Sequence, residues 1–154
     1  MIGGWRYSNA GGLRRQIYTT VTTDKMFYRT CATDDQQGPA AALFMANTLG
    51  AAPWFTMPHM ADDTYIRQFA RLAERSLDED LRAYVEYSNE VWNWQFQQAA
   101  WADAQAQARW GGEGLWMQFY GGRAAEVAQI WTSVFGEDSG RLVRVISSQT
   151  GWLG

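Results

Sequence analysis

The sequence predicts an α/β protein in which strands and helices alternate along the chain. From Pro39 onward, apolar residues at helical spacing and residues alternating in strand fashion follow one another. Turn-forming residues, mainly glycine, separate several of these segments. Because a strand reached through a helix pairs in parallel with the strand before it, the alternation predicts a parallel sheet.

The composition bounds the class of protein. The chain has 154 residues, 47% of them apolar and 19% charged, which is enough for one domain with a real core. Its net charge is −3 and its 13 Lys and Arg residues are dispersed, so we expect no nucleic-acid partner. The single Cys31 excludes an internal disulfide and a Cys-rich metal site.

Hydropathy argues against a membrane partner. No apolar run reaches the length that spans a bilayer. The segment Met1–Arg15 has no continuous apolar stretch after its basic residues, so it is not predicted to be a secretory signal.

The N-terminal segment, residues 1–38, is the least readable and is separated here from a domain at 39–154. Gly3-Gly4 and Gly11-Gly12 interrupt it early. Alternating Ile17, Thr19 and Val21 predict a strand within Gln16–Thr23, and Met26–Arg29 predicts a short second strand.

The first helix and strand of the domain are marked by proline and glycine. A helix is predicted for Pro39–Leu49, with Pro39 at its first position and Gly50 ending it. The segment Ala52–His59 is predicted to be a strand, with Trp54 and Thr56 on one side and Phe55, Met57 and His59 on the other. Pro53 and Pro58 are compatible with its ends.

The next helix is predicted to begin after Asp62-Asp63, which supply an N-cap and a favourable charge, and to fade around Ser76–Asp80. One apolar stripe defines this helix: Tyr65, Ile66, Phe69, Leu72 and Ala73. The strand Arg82–Ser88 follows, with Ala83, Val85 and Tyr87 on one face and Tyr84, Glu86 and Ser88 on the other.

The last third of the chain predicts two helices and a strand. A weakly patterned helix is expected at Gln95–Arg109, and the glycine-rich segment Gly111–Gly114 ends it. A stronger helix is expected at Leu115–Phe135, then a loop and the strand Arg141–Ser147. Three or four strands are too few to close an eight-stranded barrel, so an open sheet and a fragment of a barrel both remain open.

The chemistry suggested by the sequence is concentrated in Arg82–Trp94. Asn89-Glu90 ends the strand and is followed by Val91, Trp92, Asn93 and Trp94. A carboxyl there can protonate a glycosidic oxygen, an amide can bond a hydroxyl, and indoles can cover sugar rings. The nine Trp residues strengthen this interpretation, because several, Trp54 among them, lie beside turn residues rather than in periodic apolar runs.

The run Tyr87–Asn93 resembles the strand-four signature of clan A glycoside hydrolases, which are retaining (β/α)8 enzymes. Together with Pro53–Asp63 and Tyr120–Glu126, it is also similar to bacterial proteins labelled as cellulose-binding or glycosidases. The resemblance covers roughly Pro39 to Trp152. It implies part of a TIM-type barrel, about strands three to five with their helices.

The resemblance also implies roles. Glu90 would be the acid/base, and Asn89, His59, Trp92, Trp94 and Trp54 would bind substrate. Retaining hydrolysis needs a second carboxylate about 5 Å away, at the end of strand seven in this clan. The chain stops after the presumed strand five, so a fragment lacking its nucleophile, inactive alone and without a cofactor, is expected. A secreted glycosidase would be extracellular.

Each of these residues also has a plain structural interpretation. Glu90 can be a solvated acid at a helix start, Asn89 a turn residue and His59 a satisfied strand-end histidine; a lone histidine predicts no metal site. Trp92 and Trp94 can pack the rim, and Glu86 can be a structural acid bonded to Arg82 or a neighbouring strand.

Three rival accounts follow for the chain as a whole. It can be a non-catalytic carbohydrate-binding protein, an α/β domain of unrelated role with its Trp residues in the core, or a truncated product that does not fold alone. Exposed sheet edges would favour self-association.

Overall fold

Three short strands and four α-helices make up the part of the chain that the computed structural model describes, residues 34–149 and 151. The chain divides into two compact units, Met1–Ala40 and Ala41–Gly154, and the site described below lies in the second. In chain order the elements are α1 (Asp34–Leu49), β1 (Trp54–Met57), α2 (Asp63–Ser76), β2 (Ala83–Tyr87), α3 (Gln97–Trp110), α4 (Trp116–Phe135) and β3 (Leu142–Val145). The strands predicted before residue 34 lie outside the described residues.

The three strands form one parallel sheet in the order β1-β2-β3. Trp54 lies opposite Tyr84 in the first pair, and Glu86 lies opposite Val145 in the second. The strand ladder is extended at its carboxyl end by the Ser88 N–H, which donates to the carbonyl of Met57 at 2.8 Å. The central strand β2 therefore delivers its following residues to the carboxyl edge of the sheet.

The prediction of part of a (β/α)8 barrel is wrong for this structure, because the sheet is open. A barrel requires every strand to have a neighbour on both sides. In the described part of the chain, β1 and β3 each pair only with β2. Alternating strands and helices specify parallel pairing equally well in an open sheet and in a barrel, so the sequence pattern carried no information on closure.

Helix α2 forms where the sequence predicts it. Asp62 is its N-cap, with a side-chain oxygen accepting from the Tyr65 N–H at 2.7 Å. Ile66, Ala70 and Ala73 are buried at helical spacing. The helix ends at Ser76, before the extended Leu77.

Two helix starts and one loop differ from prediction. Helix α1 starts at Asp34, so Pro39 lies inside it rather than at its first position. Helix α3 starts at Gln97 rather than Gln95, because two backbone turns, closed by the Asn93 and Phe96 N–H groups, precede it. The predicted loop after α4 is a 3-10 helix, Gly136–Arg141.

Helices α2 and α4 pack against one face of the sheet through an aromatic cluster. Phe55 of β1 contacts Phe69 of α2 and Trp131 of α4, with ring centroids 5.1 and 5.9 Å apart, and Trp131 is completely buried. Burying a side chain of this size contributes about 2–3 kcal/mol. Helix α3 packs outside, on α4. This core fixes the sheet whose carboxyl edge carries the candidate site.

The opposite face of the sheet carries a stacked aromatic pair. Trp54 and Tyr84 lie across the β1–β2 pair with centroids 5.5 Å apart and planes within 11° of parallel. Trp54 is 56% exposed, so this face is not closed over its indole. Among the described helices, none combines the length and the apolar character needed to cross a membrane.

Candidate functional site

The turn after β2 has an unusual backbone. Ser88 has φ +59° and Glu90 has φ +46°, and in the described part of the chain these are the only non-glycine residues with positive φ. An L-residue in this left-handed region costs about 1–2 kcal/mol. The strain is concentrated in the turn at the end of the central strand, and Glu90 of this turn lines a concavity.

That concavity is an open pocket of about 410 Å³ at the carboxyl edge of the sheet. It is lined by Glu90, Trp92, Asn93, Trp94 and Gln149. Its volume falls within the range of small-molecule sites. In open parallel sheets, ligands bind outside the carboxyl ends of the strands, where this pocket lies.

The Glu90 carboxylate is held by the amide of Asn93. Asn93 Nδ2 donates to Glu90 Oε2 at 3.0 Å, and the Asn93 backbone N–H donates to the Glu90 carbonyl at 2.9 Å. Asn93 Oδ1 accepts from the Gln95 N–H at 3.0 Å, which leaves the amide nitrogen facing the carboxylate. One carboxylate oxygen of Glu90 is therefore oriented by a side chain that is itself fixed.

Trp94 lines the pocket with a ring that stays open to solvent. Its ring is 54% exposed and meets Trp116 edge-on, with centroids 5.2 Å apart and planes at 63°. Trp92 is half-buried on the same turn. Two indoles beside a carboxylate and an amide provide both stacking surface and hydrogen-bonding groups.

A second polar cluster lies on β2, four residues before Glu90. Glu86 is 8% exposed and accepts from Trp54 Nε1 at 2.9 Å and from the hydroxyl of Ser147. The Ser147 N–H donates to the Tyr120 hydroxyl at 2.9 Å. Burial raises the pKa of Tyr120 and the Glu86 charge adds to the rise, while the Ser147 N–H opposes it. The alternative prediction that Glu86 bonds a neighbouring strand is confirmed by the Trp54 contact.

The structure brings together three of the six residues that the sequence singled out. Glu90, Trp92 and Trp94 line the pocket. Asn89, His59 and Trp54 are not among the lining residues.

Each of these three residues has its own surroundings. The exposed Asn89 accepts from Gln98 Nε2 through its backbone carbonyl at 2.6 Å. His59 packs edge-on against Trp101, and its carbonyl accepts from the Tyr87 hydroxyl at 2.8 Å. Trp54 is bound to Glu86, at the start of β1.

Two pocket residues, Asn93 and Gln149, were not predicted from the sequence. Asn93 lay within the recognised segment but was not singled out, although its spacing of three residues from Glu90 suits a turn contact. Gln149 follows β3 by four residues. Since neighbouring parallel strands end at the same edge, the residues after β3 were candidates for the same site as those after β2.

Among the residues that the structure describes, no group of three or more His, Cys, Asp or Glu could hold a metal ion. Comparisons with protein-family models, with curated proteins and with solved structures gave no match. The candidate function therefore depends on the geometry of the Glu90 pocket.

Proposed function

We propose that the pocket at the carboxyl edge of the sheet binds a β-linked carbohydrate, with Glu90 as the proton donor to a glycosidic oxygen. The observation that carries the proposal is the position of Glu90 on a strained turn, inside a pocket it shares with two indoles. Strained non-glycine backbone persists where the surrounding structure enforces it, commonly at functional sites. Sugar rings have apolar faces and polar edges, which suit Trp94 and the Asn93 amide.

The chemistry assigned to Glu90 is general acid/base catalysis. In a retaining glycosidase the acid protonates the leaving oxygen, and the resulting carboxylate later takes a proton from the attacking water. A second carboxylate about 5 Å away forms the covalent intermediate. In the described part of the chain, Glu90 is the one acidic residue lining the pocket. The described lining residues therefore supply a group for the protonation step but no carboxylate for the covalent step.

Because Glu90 is the one acidic residue among the described residues that line the pocket, a second candidate is carbohydrate binding without hydrolysis. A pocket with one carboxylate, two indoles and two amides is sufficient to recognise a sugar. In this case the Glu90 carboxylate accepts hydrogen bonds from sugar hydroxyls and does not deliver a proton. Binding is common to both candidates, and turnover distinguishes them.

The test is a titration with a panel of β-linked hexasaccharides: cellohexaose, xylohexaose, mannohexaose and laminarihexaose. Tryptophan fluorescence and calorimetry measure binding, and chromatography measures released sugar. We expect at least one hexasaccharide to bind, and Trp94→Ala to weaken it about tenfold, as the loss of one aromatic contact implies. Trp110→Ala is the matched control, because Trp110 is also an exposed indole but lies at the end of α3, under the Arg109 guanidinium.

The variant Glu90→Gln separates the two candidates. Hydrolysis by the wild type that is lost in Glu90→Gln while binding persists supports the acid/base role. Binding without any released sugar supports the second candidate. Absence of binding to every member of the panel, or equal weakening by Trp94→Ala and Trp110→Ala, contradicts the proposal.

A further inference from the structure

We propose that Gln149 is a sugar-binding residue of the Glu90 pocket and that Ser147 positions it through a polar clamp formed with Glu86 and Tyr120. This inference rests on the proposed carbohydrate binding. It assigns to the pocket a third hydrogen-bonding side chain, beside those of Glu90 and Asn93. The side-chain amide of Gln149 carries both a donor and an acceptor, which suits recognition of a sugar hydroxyl.

The segment after β3, residues 146–149, lies beyond the last paired position of the sheet and must be fixed by other contacts. The strand ends at Val145, and Glu86–Val145 is the last paired position of the β2–β3 ladder. Ile146 is 63% exposed, so its side chain gains little from burial. Neither strand pairing nor an apolar anchor therefore accounts for the course of the chain from Ile146 to Gln149.

Ser147 provides that restraint at two points. Its hydroxyl donates to Glu86 Oε1, and its backbone N–H donates to the Tyr120 hydroxyl at 2.9 Å. Gln149 is only two residues further on, so a fixed Ser147 confines it to within about 7 Å. The clamp thus limits the positions that the Gln149 side chain can take in the pocket.

Both partners of Ser147 are themselves rigidly placed. Glu86 is buried on the central strand, and its other carboxylate oxygen accepts from Trp54 Nε1 at 2.9 Å. Tyr120 is buried on α4 and stacks on Tyr87, with ring centroids 6.1 Å apart. Side chains held in this way position a neighbouring binding group more accurately than a free loop would.

The experiment removes the clamp without touching the pocket wall. Tyr120→Phe keeps the stacked ring and removes the oxygen that accepts from Ser147. Ser147→Ala keeps the backbone N–H and removes the hydroxyl donor to Glu86. Tyr87→Phe is the matched control, because it keeps the ring that stacks on Tyr120 and removes a buried tyrosine hydroxyl that donates to the His59 carbonyl and not to Ser147.

Two readouts are measured on the full chain. The first is hydrogen-exchange protection of the Ser147 amide by NMR, which reports local opening of the segment. The second is affinity for cellohexaose. We expect Tyr120→Phe to lower the amide protection about tenfold, the equivalent of one hydrogen bond, and to weaken cellohexaose binding as much as Gln149→Ala does. Ser147→Ala should weaken binding in the same way, and Tyr87→Phe should change neither readout.

The outcomes separate this inference from the proposed function. Cellohexaose binding that is unchanged in Gln149→Ala overturns the role of Gln149 and leaves the proposed function standing. Unchanged Ser147 protection in Tyr120→Phe overturns the clamp, whether or not a sugar binds. If wild-type protein binds no cellohexaose, the role of Gln149 toward this sugar is overturned, while the protection measurement still decides the clamp.

Discussion

The side-chain amide of Asn93 donates to the carboxylate of Glu90 across 3.0 Å, within the turn that carries both residues into the pocket. The same side chain accepts from the Gln95 N–H, so the amide cannot rotate without breaking a second bond. The orientation of the proposed acid is thus set locally, three residues along the chain.

Replacing Asn93 with Asp should therefore be destabilising. The substitution keeps an oxygen for the Gln95 N–H but places a second carboxylate against Glu90, where repulsion replaces a hydrogen bond. We expect the free energy of unfolding to fall by about 1–2 kcal/mol. Urea denaturation at neutral pH measures the change.

The double variant Glu90→Gln/Asn93→Asp is the control for this prediction. A glutamine at position 90 can donate to the new aspartate, so the stability lost in Asn93→Asp should be largely restored. The coupling between the two substitutions is expected to reach about 1 kcal/mol. Strictly additive effects would contradict a direct contact between the two side chains.

The positive φ of Glu90 reverses the usual order of stability of alanine and glycine at this position. At an ordinary helical position, glycine is less stable than alanine by about 0.5–1 kcal/mol. At φ +46° the Cβ of alanine is strained and glycine is not, so Glu90→Gly should be more stable than Glu90→Ala by about 1 kcal/mol. Thermal or urea denaturation of the two variants measures the difference.

Ala100 provides the matched reference for this comparison, because it is exposed on α3. There, Ala100→Gly should destabilise by about 1 kcal/mol. The same sign at both positions would argue that the turn after β2 relaxes to ordinary backbone angles.

Local patterns in the sequence were sufficient to predict the helices and strands, but not to predict whether the sheet closes. The buried spacing of Ile66, Ala70 and Ala73 follows from helical periodicity, and the Asp62 cap follows from one side chain. Alternation in β2 likewise marked which residues share a face. Whether the sheet closes depends on pairing partners far along the chain, and no periodicity records those partners.

The candidate site likewise has a part that the sequence predicted and a part that it did not. Glu90, Trp92 and Trp94 lie within one short segment, so the sequence could group them. The contact between Glu86 and Ser147 joins residues 61 positions apart, and Gln149 reaches the pocket only because β3 lies beside β2. The resemblance implied a substrate-binding role for His59 at the tip of a strand, but its ring packs on Trp101 of α3, whose docking no local pattern specifies.

Alkaline pH should destabilise the protein through its buried tyrosines. Burial raises the pKa of Tyr87 well above its ordinary value of 10.0, with the Arg123 charge opposing the rise, and burial also raises the pKa of Tyr120. The folded state therefore keeps protons that the unfolded chain releases above about pH 10. Stability is fully present below that pH and falls as pH rises toward the folded-state values.

Urea denaturation between pH 8 and pH 11 measures this effect. We expect the loss of stability over this interval to be smaller in Tyr87→Phe than in wild type, because that variant has one fewer buried phenol to ionise. Tyr84→Phe serves as the control, since Tyr84 is only half-buried and stacks on Trp54. Identical pH profiles for wild type and Tyr87→Phe would contradict the assignment of this loss of stability to the Tyr87 phenol.

Arg141 joins the start of β3 to the loop before β2, and its substitution should show that a planar guanidinium is needed there. Its Nε donates to the Leu81 carbonyl at 3.2 Å, and Nη2 donates to the carbonyls of Leu77 and Asp78 at 3.0 and 2.7 Å. A lysine ammonium carries its donors on one nitrogen, so it cannot occupy the positions of both Nε and Nη2. We expect Arg141→Lys to lower the free energy of unfolding by about 1–2 kcal/mol.

Arg144→Lys is the matched control in this comparison, because Arg144 is exposed and its Nε donates to the Thr132 hydroxyl. That substitution should change stability by no more than about 0.5 kcal/mol. Hydrogen exchange at the Leu81 amide gives a local readout, since its N–H donates to the Asp78 carbonyl that Arg141 also binds. Faster exchange there in Arg141→Lys, but not in Arg144→Lys, is the expected result. Equal stability of the two variants would mean that the loop keeps its conformation without the guanidinium.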